Sequence, residues 1–244
     1  MSYKQTFENC FSSKSSDHDW VRTAFMKSLE RTNDIASSLQ ILKAKGKLPL
    51  LDLPEQTDDI EALSGHHFVT DKSFKRFVIV GIGGSSLGGQ VLVNLRDRDA
   101  EPHLSFWDTL DYHVMKPFLS GRKLRETRFM LISKSGSTPE IMAQTLMVIE
   151  ALNKLGGKEA VQRQCLAICE PGDNPLGYIA DKWGIERLDH DPDIGGRYSG
   201  LSLVGALPAL IAGMDMRAVR EGAQAVLDDT LTNPASAPRV SAAL

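Results

Sequence analysis

The sequence predicts an α/β protein with a doubly wound, mainly parallel, five-stranded sheet, preceded by an N-terminal helical segment. Short apolar runs alternate with helical runs from about residue 71 onward. The run at 76–82 is apolar almost throughout, as expected for a strand covered on both faces. Strands that alternate with helices favour parallel pairing through crossover connections, which completes the fold prediction.

The apolar patterns place each element of this fold. Strands are predicted at 76–82, 104–107, 128–132, 165–168 and 185–188. Helices are predicted at 87–95, 112–119, 139–155, 175–183, 201–212 and 216–227. In doubly wound sheets, ligands bind beyond the carboxyl ends of the strands. The loops that follow the strands are therefore the place to look for a functional site.

Residues 1–70 read differently from the rest of the chain. Helical spacing over 19–45, interrupted by turn-prone residues at 31–34, predicts a helical hairpin. A short helix ending near Leu63 follows it. We divide the chain into a helical segment at 1–70, an α/β domain at 71–230, and a segment at 231–244 where a further element starts.

Composition narrows the class of protein. The 244 residues carry a net charge of −3, which gives no general attraction for nucleic acid or for an anionic membrane. No apolar run has the length of a membrane helix or a secretory leader. The three cysteines give no disulfide framework, and Cys165 and Cys169 read as buried thiols. We expect a cytoplasmic protein without nucleic-acid or membrane partners.

The first predicted strand runs into a glycine-rich loop at 81–89. The third glycine of a dinucleotide fingerprint would fall at Ser86, and the Lys-Ser of a P-loop is replaced by Gly89 and Gln90. Nucleotide binding is therefore a weak interpretation. Two interpretations stay open: a loop whose backbone approaches an anionic ligand, and a tight turn without a ligand.

The third predicted strand ends in a polar loop, Ser133-Lys134-Ser135-Gly136-Ser137-Thr138-Pro139-Glu140. Thr138 suits an N-cap position and Pro139 suits the first helical position. Four hydroxyls, one ammonium and several unpaired amides converge there, which favours binding of a phosphate monoester. The alternative is that one hydroxyl caps the helix and Lys134 points to solvent.

Arg197 follows the last predicted strand, in the run 191–199. A cation at a helix start is unfavourable unless an anion is near, so Arg197 suggests a ligand. The alternative is a surface pair with Asp191 or Asp193. His190 reads as a hydrogen-bonded loop histidine that could carry a proton. The adjacent His66 and His67 have no third ligand at a suitable spacing, so we expect no metal.

Together these loops resemble the phosphoglucose isomerase (glucose-6-phosphate isomerase) family. Its first sugar isomerase (SIS) domain has a strand ending in GIGGS, then a Ser/Thr-rich phosphate loop followed by a glutamate, then GGRYS. This chain has the three motifs at 81–85, 133–140 and 195–199, in the same order. In this chain Ser135 and Ser137 replace threonines, and Gly136 replaces a bulky residue. The resemblance implies a SIS-type fold.

The resemblance also implies a role for each matching residue. The substrate would contact Gly84 and Ser85. Arg197 would stabilise an anionic cis-enediolate, and Glu140 would orient Arg197. The phosphate would be bound by Ser133, Lys134, Ser135, Ser137 and Thr138.

The implied function is aldose-ketose isomerisation of glucose 6-phosphate and fructose 6-phosphate in glycolysis and gluconeogenesis, without a cofactor. In the family, the glutamate base and a lysine lie in later sequence, a neighbouring subunit supplies a histidine, and members are homodimers. We therefore expect this chain to be an N-terminal part that supplies the phosphate-binding half. The alternative is a stand-alone SIS domain that binds a sugar phosphate as a non-catalytic sensor.

Overall fold

The computed structural model describes residues 5–7, 10–11, 18–96 and 100–244. They form two compact units. One unit joins the described residues up to Glu55 with Arg220–Leu244, and the other is Gln56–Val219. This grouping differs from the sequence-based boundaries at 70 and 230, which stay a prediction about domains.

The larger unit contains the five-stranded sheet that the sequence predicts. Its strands are β1 (Arg76–Val80), β2 (His103–Trp107), β3 (Thr127–Ile132), β4 (Cys165–Cys169) and β5 (Glu186–Asp189). They lie in the order β2-β1-β3-β4-β5, and every neighbouring pair is parallel. The fold class and all five strand positions are confirmed, with shifts of one or two residues at the ends.

Eleven α-helices lie within the described residues. They are α1 (His18–Ala44), α2 (Asp58–Gly65), α3 (His67–Thr70), α4 (Gly84–Val93), α5 (Tyr112–Met115), α6 (Gly121–Arg125), α7 (Pro139–Gln164), α8 (Pro175–Trp183), α9 (Leu203–Ile211), α10 (Met216–Thr232) and α11 (Ala237–Ala243). Short 3₁₀ helices occur at Pro49–Leu51, Leu53–Glu55, Lys116–Phe118 and Gly196–Leu201. Of the helices in the described part of the chain, none combines the length and apolarity needed to span a bilayer.

Both faces of the sheet are buried, because alternate strand residues point to opposite sides. Val78 and Val80 of β1 pack with Phe129 and Leu131 of β3 under α7 and α8. Phe77 and Ile79 pack on the other face, under α2, α3 and α9. Each face therefore has its own apolar core, and the nearly uniform apolar character of the strand sequences follows from this double coverage.

The N-terminal helical hairpin predicted from residues 19–45 is wrong, because α1 runs unbroken from His18 to Ala44. The polar residues read as a turn are accommodated inside the helix. The hydroxyl of Thr32 donates to the carbonyl of Leu29, and the hydroxyl of Ser37 donates to that of Asn33. Hydroxyl groups that bond the preceding turn in this way let polar residues remain helical.

Three other predictions are corrected in detail. The helix expected at 112–119 is one α-turn followed by a 3₁₀ turn. The helix predicted to end at 155 does break there, at Gly156 and Gly157, but a second helical stretch continues to Gln164. The helix expected from Leu201 starts at Leu203, since Gly196–Leu201 forms a 3₁₀ helix.

The smaller unit is held by contacts between α1 and α11. Arg239 is buried, and its guanidinium donates to the hydroxyl of Thr32 at 2.9 Å and to the side-chain amide of Asn33. Gln40 donates to the carbonyl of Leu231. The final apolar patch at 240–244, read from the sequence as the start of a further element, lies at the end of α11, where Val240 is buried and Leu244 is exposed.

The two cysteines of β4 are buried, as predicted. Cys165 and Cys169 are both free thiols, and Cys10 is exposed. Burial in an apolar core raises the pKa of both strand thiols, because it disfavours the charged thiolate. These groups are packing elements of the core.

We predict that Leu152→Ala destabilises the larger unit by about 2–5 kcal/mol, because it leaves a cavity in a closely packed core. Leu152 of α7 is fully buried under the sheet. On the same helix, Leu146 is 55% exposed, so Leu146→Ala should change the free energy of unfolding by no more than about 0.5 kcal/mol. Urea unfolding of both variants checks the difference. Equal effects would contradict the packing described here.

Candidate functional site

The candidate site lies at the carboxyl edge of the sheet, between β1 and β3. From β1 the chain passes to β2 on one side, and β3 then pairs with the other side of β1. A reversal of this kind opens a crevice between the two loops that leave the central strands. The loops that leave β1 and β3 are the glycine-rich loop and the Ser/Thr-rich loop, so the fold brings the first two motifs side by side.

The third motif packs directly against the start of α4. Gly84, the first residue of α4, lies so close to Gly196 that a Cβ at Gly84 would overlap the carbonyl oxygen of Gly196. The Ser199 hydroxyl lies 3.0 Å from the carbonyl oxygen of Gly84 and 2.7 Å from that of Gly196. The loops that follow β1 and β5 are therefore locked together by backbone contact, with Ser199 as the connecting side chain.

An open cavity of about 590 Å³ lies along this contact. Gly83, Gly84 and Leu87 line it from α4, and Arg197 and Tyr198 line it from the 3₁₀ helix. Ser85 is half-buried beside them. This arrangement brings Gly84 close to Arg197, whereas the residues 133–138 do not line this cavity.

The hydroxyls of the Ser/Thr-rich loop form two pairs. Ser133 is buried, and its Oγ lies 3.0 Å from Oγ1 of Thr138. Ser135 and Ser137 are exposed, and their Oγ atoms are 3.0 Å apart. Each hydroxyl can still donate or accept once more. The inner pair supports the loop, and the outer pair faces solvent where an anion can reach it.

This loop leads into the N-terminus of α7. Thr138 occupies the N-cap position, as predicted, but its side chain makes no capping hydrogen bond. The first intrahelical bond runs from the amide of Met142 to the carbonyl of Thr138, so the amides of Glu140 and Ile141 have no acceptor within the helix. Such amides, together with the positive end of the helix dipole, attract an anion.

The position of Lys134 differs from the one expected of a phosphate ligand. Its Nζ donates to the carbonyls of Pro192 at 2.8 Å and Ile194 at 3.0 Å, and it lies 3.3 Å from a carboxylate oxygen of Glu170. An ammonium group has three protons, so these contacts use its full donor capacity. Lys134 thus joins the loops that follow β3, β4 and β5.

Asn174 is a supporting residue that the sequence analysis missed. Its side-chain oxygen accepts from the amide of Gly177 at the start of α8, and its amide group donates to the carbonyl of Glu170. It also packs against Gly136, whose φ is +63° and where a Cβ would overlap the Asn174 side chain. The Asn-Pro pair that starts α8 is a helix-capping pattern from which this residue could have been found.

The structure does not bring Glu140 and Arg197 together. Both side chains are exposed, and no ion pair joins them in the part of the chain that the structure describes. Arg197 also forms no pair with Asp191 or Asp193 among those residues, so the surface-pair alternative finds no support. The role of Glu140 as a positioning residue stays a prediction.

His190 lies close to the carboxyl edge of the sheet, but its ring is already engaged in a hydrogen bond within the protein. The ring is buried, and its Nδ1 donates a hydrogen bond of 2.8 Å to the carbonyl of Asp191. Burial lowers the pKa of His190, so the neutral ring is favoured at pH 7. The prediction of a hydrogen-bonded loop histidine is confirmed.

A different polar cluster lies at the amino edge of the sheet. His66 and His67 are not in a strand, since they start α3, and both rings face Glu186, the first residue of β5. The expectation that no third ligand accompanies the two histidines is therefore wrong, because Glu186, which lies 120 positions from His66 along the chain, completes the group.

Comparison with known proteins identifies the family. The family model described as phosphoglucose isomerase matches residues 54–239, which is more than half of the chain. The chain belongs to the phosphoglucose isomerase family. The chain is 34% identical to the glucose-6-phosphate isomerase of Carboxydothermus hydrogenoformans over 209 residues, which are 80% of this chain and 44% of that protein. It is also 34% identical to that of Rubrobacter xylanophilus, with 77% and 46% covered.

Solved structures share the fold of this chain. A hypothetical protein from Thermus thermophilus superposes with a TM-score of 0.77 at 26% identity, over 90% of this chain and 54% of that one. A glucose-6-phosphate isomerase from Chlamydia trachomatis superposes with a TM-score of 0.65 at 25% identity, over 76% and 36%. The chain thus spans about half the length of these relatives or less.

We predict that Lys134→Met destabilises the larger unit by about 1–3 kcal/mol, since two loop carbonyls and Glu170 lose a charged donor. Lys154→Met is the control, because Lys154 makes one exposed ion pair with Glu150 and should cost less than about 1 kcal/mol. Urea unfolding at neutral pH measures both. If Lys134→Met is as stable as the wild type, the lysine does not hold the loops.

Proposed function

We propose that this chain supplies the phosphate-binding half of a glucose-6-phosphate isomerase, which interconverts glucose 6-phosphate and fructose 6-phosphate. One observation supports this most strongly: the exposed hydroxyls of Ser135 and Ser137 lie at the N-terminus of α7, at the carboxyl edge where the strand order reverses. The names of the relatives give the substrate class.

The phosphate is bound by neutral donors in this proposal. Ser135, Ser137 and Thr138 donate from their hydroxyls, and the free amides of α7 add dipoles that favour an anion. Ser133 supports Thr138 from within the loop. Lys134 acts through the position of the loops rather than by direct contact, because its protons are already engaged. Gly84 and Ser85 contact the sugar from the neighbouring loop.

Arg197 serves the chemical step. It is exposed and lines the cavity, and no carboxylate forms an ion pair with it among the described residues. Loss of the proton from C2 of the open-chain sugar gives a cis-enediolate, and protonation at C1 then gives the ketose. The guanidinium of Arg197 stabilises the negative charge of that intermediate. Glu140 positions that guanidinium once the substrate is bound.

The remaining groups of the reaction lie outside this chain in the proposal. The base that moves the proton and the lysine near the substrate belong to the second half of the family's proteins, and a neighbouring subunit in a homodimer supplies the histidine for ring opening. The whole protein then acts in glycolysis and gluconeogenesis in the cytoplasm. None of the proposed roles requires a cofactor.

We expect glucose 6-phosphate to raise the melting temperature of this chain, while glucose without phosphate does not. The double variant Ser137→Ala, Thr138→Val should weaken binding about tenfold or more, because hydrogen bonds to a charged group are lost. Ser120→Ala is the control, since Ser120 precedes α6 before β3 and makes no capping bond. If glucose 6-phosphate raises the melting temperature of the wild type, the double variant and Ser120→Ala by the same amount, the phosphate does not bind in this loop.

A second expected outcome concerns Arg197. A hydroxamate that mimics the enediolate and carries the same phosphate should bind this chain at least about tenfold tighter than glucose 6-phosphate, as transition-state analogues do. Arg197→Ala should remove that preference and leave the affinity for glucose 6-phosphate unchanged, and Arg197→Lys should retain part of it.

The sensor alternative predicts no preference for the hydroxamate. A coupled assay for conversion of fructose 6-phosphate by this chain alone should give no turnover. Turnover that disappears in Arg197→Ala would mean that a base lies within these 244 residues and would overturn the proposal of a phosphate-binding half.

A further inference from the structure

The cluster at the amino edge of the sheet contains two imidazoles and one carboxylate. Nε2 of His66 lies 3.2 Å from Oε1 of Glu186, and Nδ1 of His67 lies 3.4 Å from Oε2 of the same carboxylate. The three ligand atoms all lie within 4.8 Å of one another. The two rings are stacked, with centroids 4.5 Å apart and an angle of 32° between their planes.

These spacings are close to those of a metal site. Zinc bonds of about 2.0–2.1 Å at tetrahedral angles place neighbouring ligand atoms roughly 3.3–3.4 Å apart. Each ring nitrogen already lies at about this distance from an oxygen of the Glu186 carboxylate, with His66 nearest to Oε1 and His67 nearest to Oε2. The two nitrogens lie within 4.8 Å of each other, so binding one ion requires the rings to approach by up to about 1.4 Å. The His67 side chain is 47% exposed and is the ring with more room to move.

The backbone of the cluster is held in place. The carbonyl of His67 accepts from Nη1 of Arg128 at 2.8 Å, and Arg128 is itself buried between Phe68 and Phe74. His66 is only 11% exposed in its side chain. Glu186 is fixed by its pairing with Leu166 of β4. The backbone therefore holds the three ligand residues close together before any metal binds.

The donor set decides which cation fits. Asp71 is engaged in an ion pair with Arg128. Glu186 therefore supplies the negative charge next to the two imidazole rings. One carboxylate is a poor site for Mg²⁺ or Ca²⁺, which require mostly oxygen ligands. Two imidazoles with one carboxylate suit Zn²⁺ and other late first-row metals, with solvent in the remaining position.

Coordination costs one hydrogen bond. Nδ1 of His66 accepts from the amide of Phe68 at 3.2 Å, so the Nε2 atom carries the proton in the metal-free protein. When Nε2 of the neutral ring binds a metal, the ring proton must lie on Nδ1, so Nδ1 can no longer accept from the Phe68 amide and the capping bond is lost.

We propose that His66, His67 and Glu186 form a binding site for a divalent transition metal such as Zn²⁺, which joins α3 to β5 at the edge of the sheet opposite the sugar-phosphate loops. The site is independent of the proposed isomerase function, since it shares none of its residues. A bound ion links residues far apart in sequence and therefore stabilises the folded chain.

Isothermal titration of the untagged chain with ZnCl₂, in a buffer without phosphate, tests the site. We expect one ion per chain, with a dissociation constant below about 100 µM, and a melting temperature that rises with ZnCl₂. The substitutions His67→Ala and Glu186→Gln should each weaken binding at least about tenfold. Co²⁺ should give the visible absorption bands of a four-coordinate site, and these should be lost in both variants.

The control is His103→Ala, because His103 is an exposed histidine that starts β2 at the same edge of the sheet. Zn²⁺ should bind the His103→Ala variant with the same dissociation constant as the wild type. Melting curves recorded without metal show whether each variant folds. If Glu186→Gln does not fold, His67→Ala still tests the site. The proposal is overturned by a wild-type dissociation constant above about 1 mM, or by unchanged binding in His67→Ala.

Discussion

The parallel register of the five strands is the constraint on which the rest of this structure depends. Because all strands point the same way, every loop that follows a strand reaches one edge of the sheet. Residues from three distant parts of the chain, at 81–85, 133–138 and 195–199, meet at that edge for this reason. The register itself is held by cores on both faces, in which β1 and β3 are almost entirely buried.

Two kinds of contact then fix the loops relative to one another. The start of α4 touches the 3₁₀ helix through backbone atoms at Gly84 and Gly196, which allows no side chain between them. Lys134 holds the loops after β3, β4 and β5 through its three donors. These contacts leave the outer hydroxyls and Arg197 exposed. The site thus separates residues that position the loops from residues that an anionic ligand can reach.

The two edges of the sheet offer different chemistry. The carboxyl edge presents neutral hydroxyls, helix amides and one cation, a set that suits an anion. The amino edge presents imidazoles and a carboxylate, a set that suits a cation. The family match covers residues 54–239 and therefore includes both edges, whereas the three motifs that carry the resemblance lie at the first edge. The second edge depends on residues at the starts of α3 and β5, outside those motifs.

The sequence by itself determined the fold class, the five strands and the loops that form the candidate site, because buried parallel strands and glycine-rich turns have strong local patterns. It did not determine the path of α1, where Thr32 in the predicted turn bonds the carbonyl of Leu29 and the helix continues. Nor did it show that Lys134 is engaged by Pro192 and Ile194, or that Glu186 faces two histidines. Only the tertiary structure decided these points, because hydrogen bonds between residues far apart in sequence form after the strands and helices have packed.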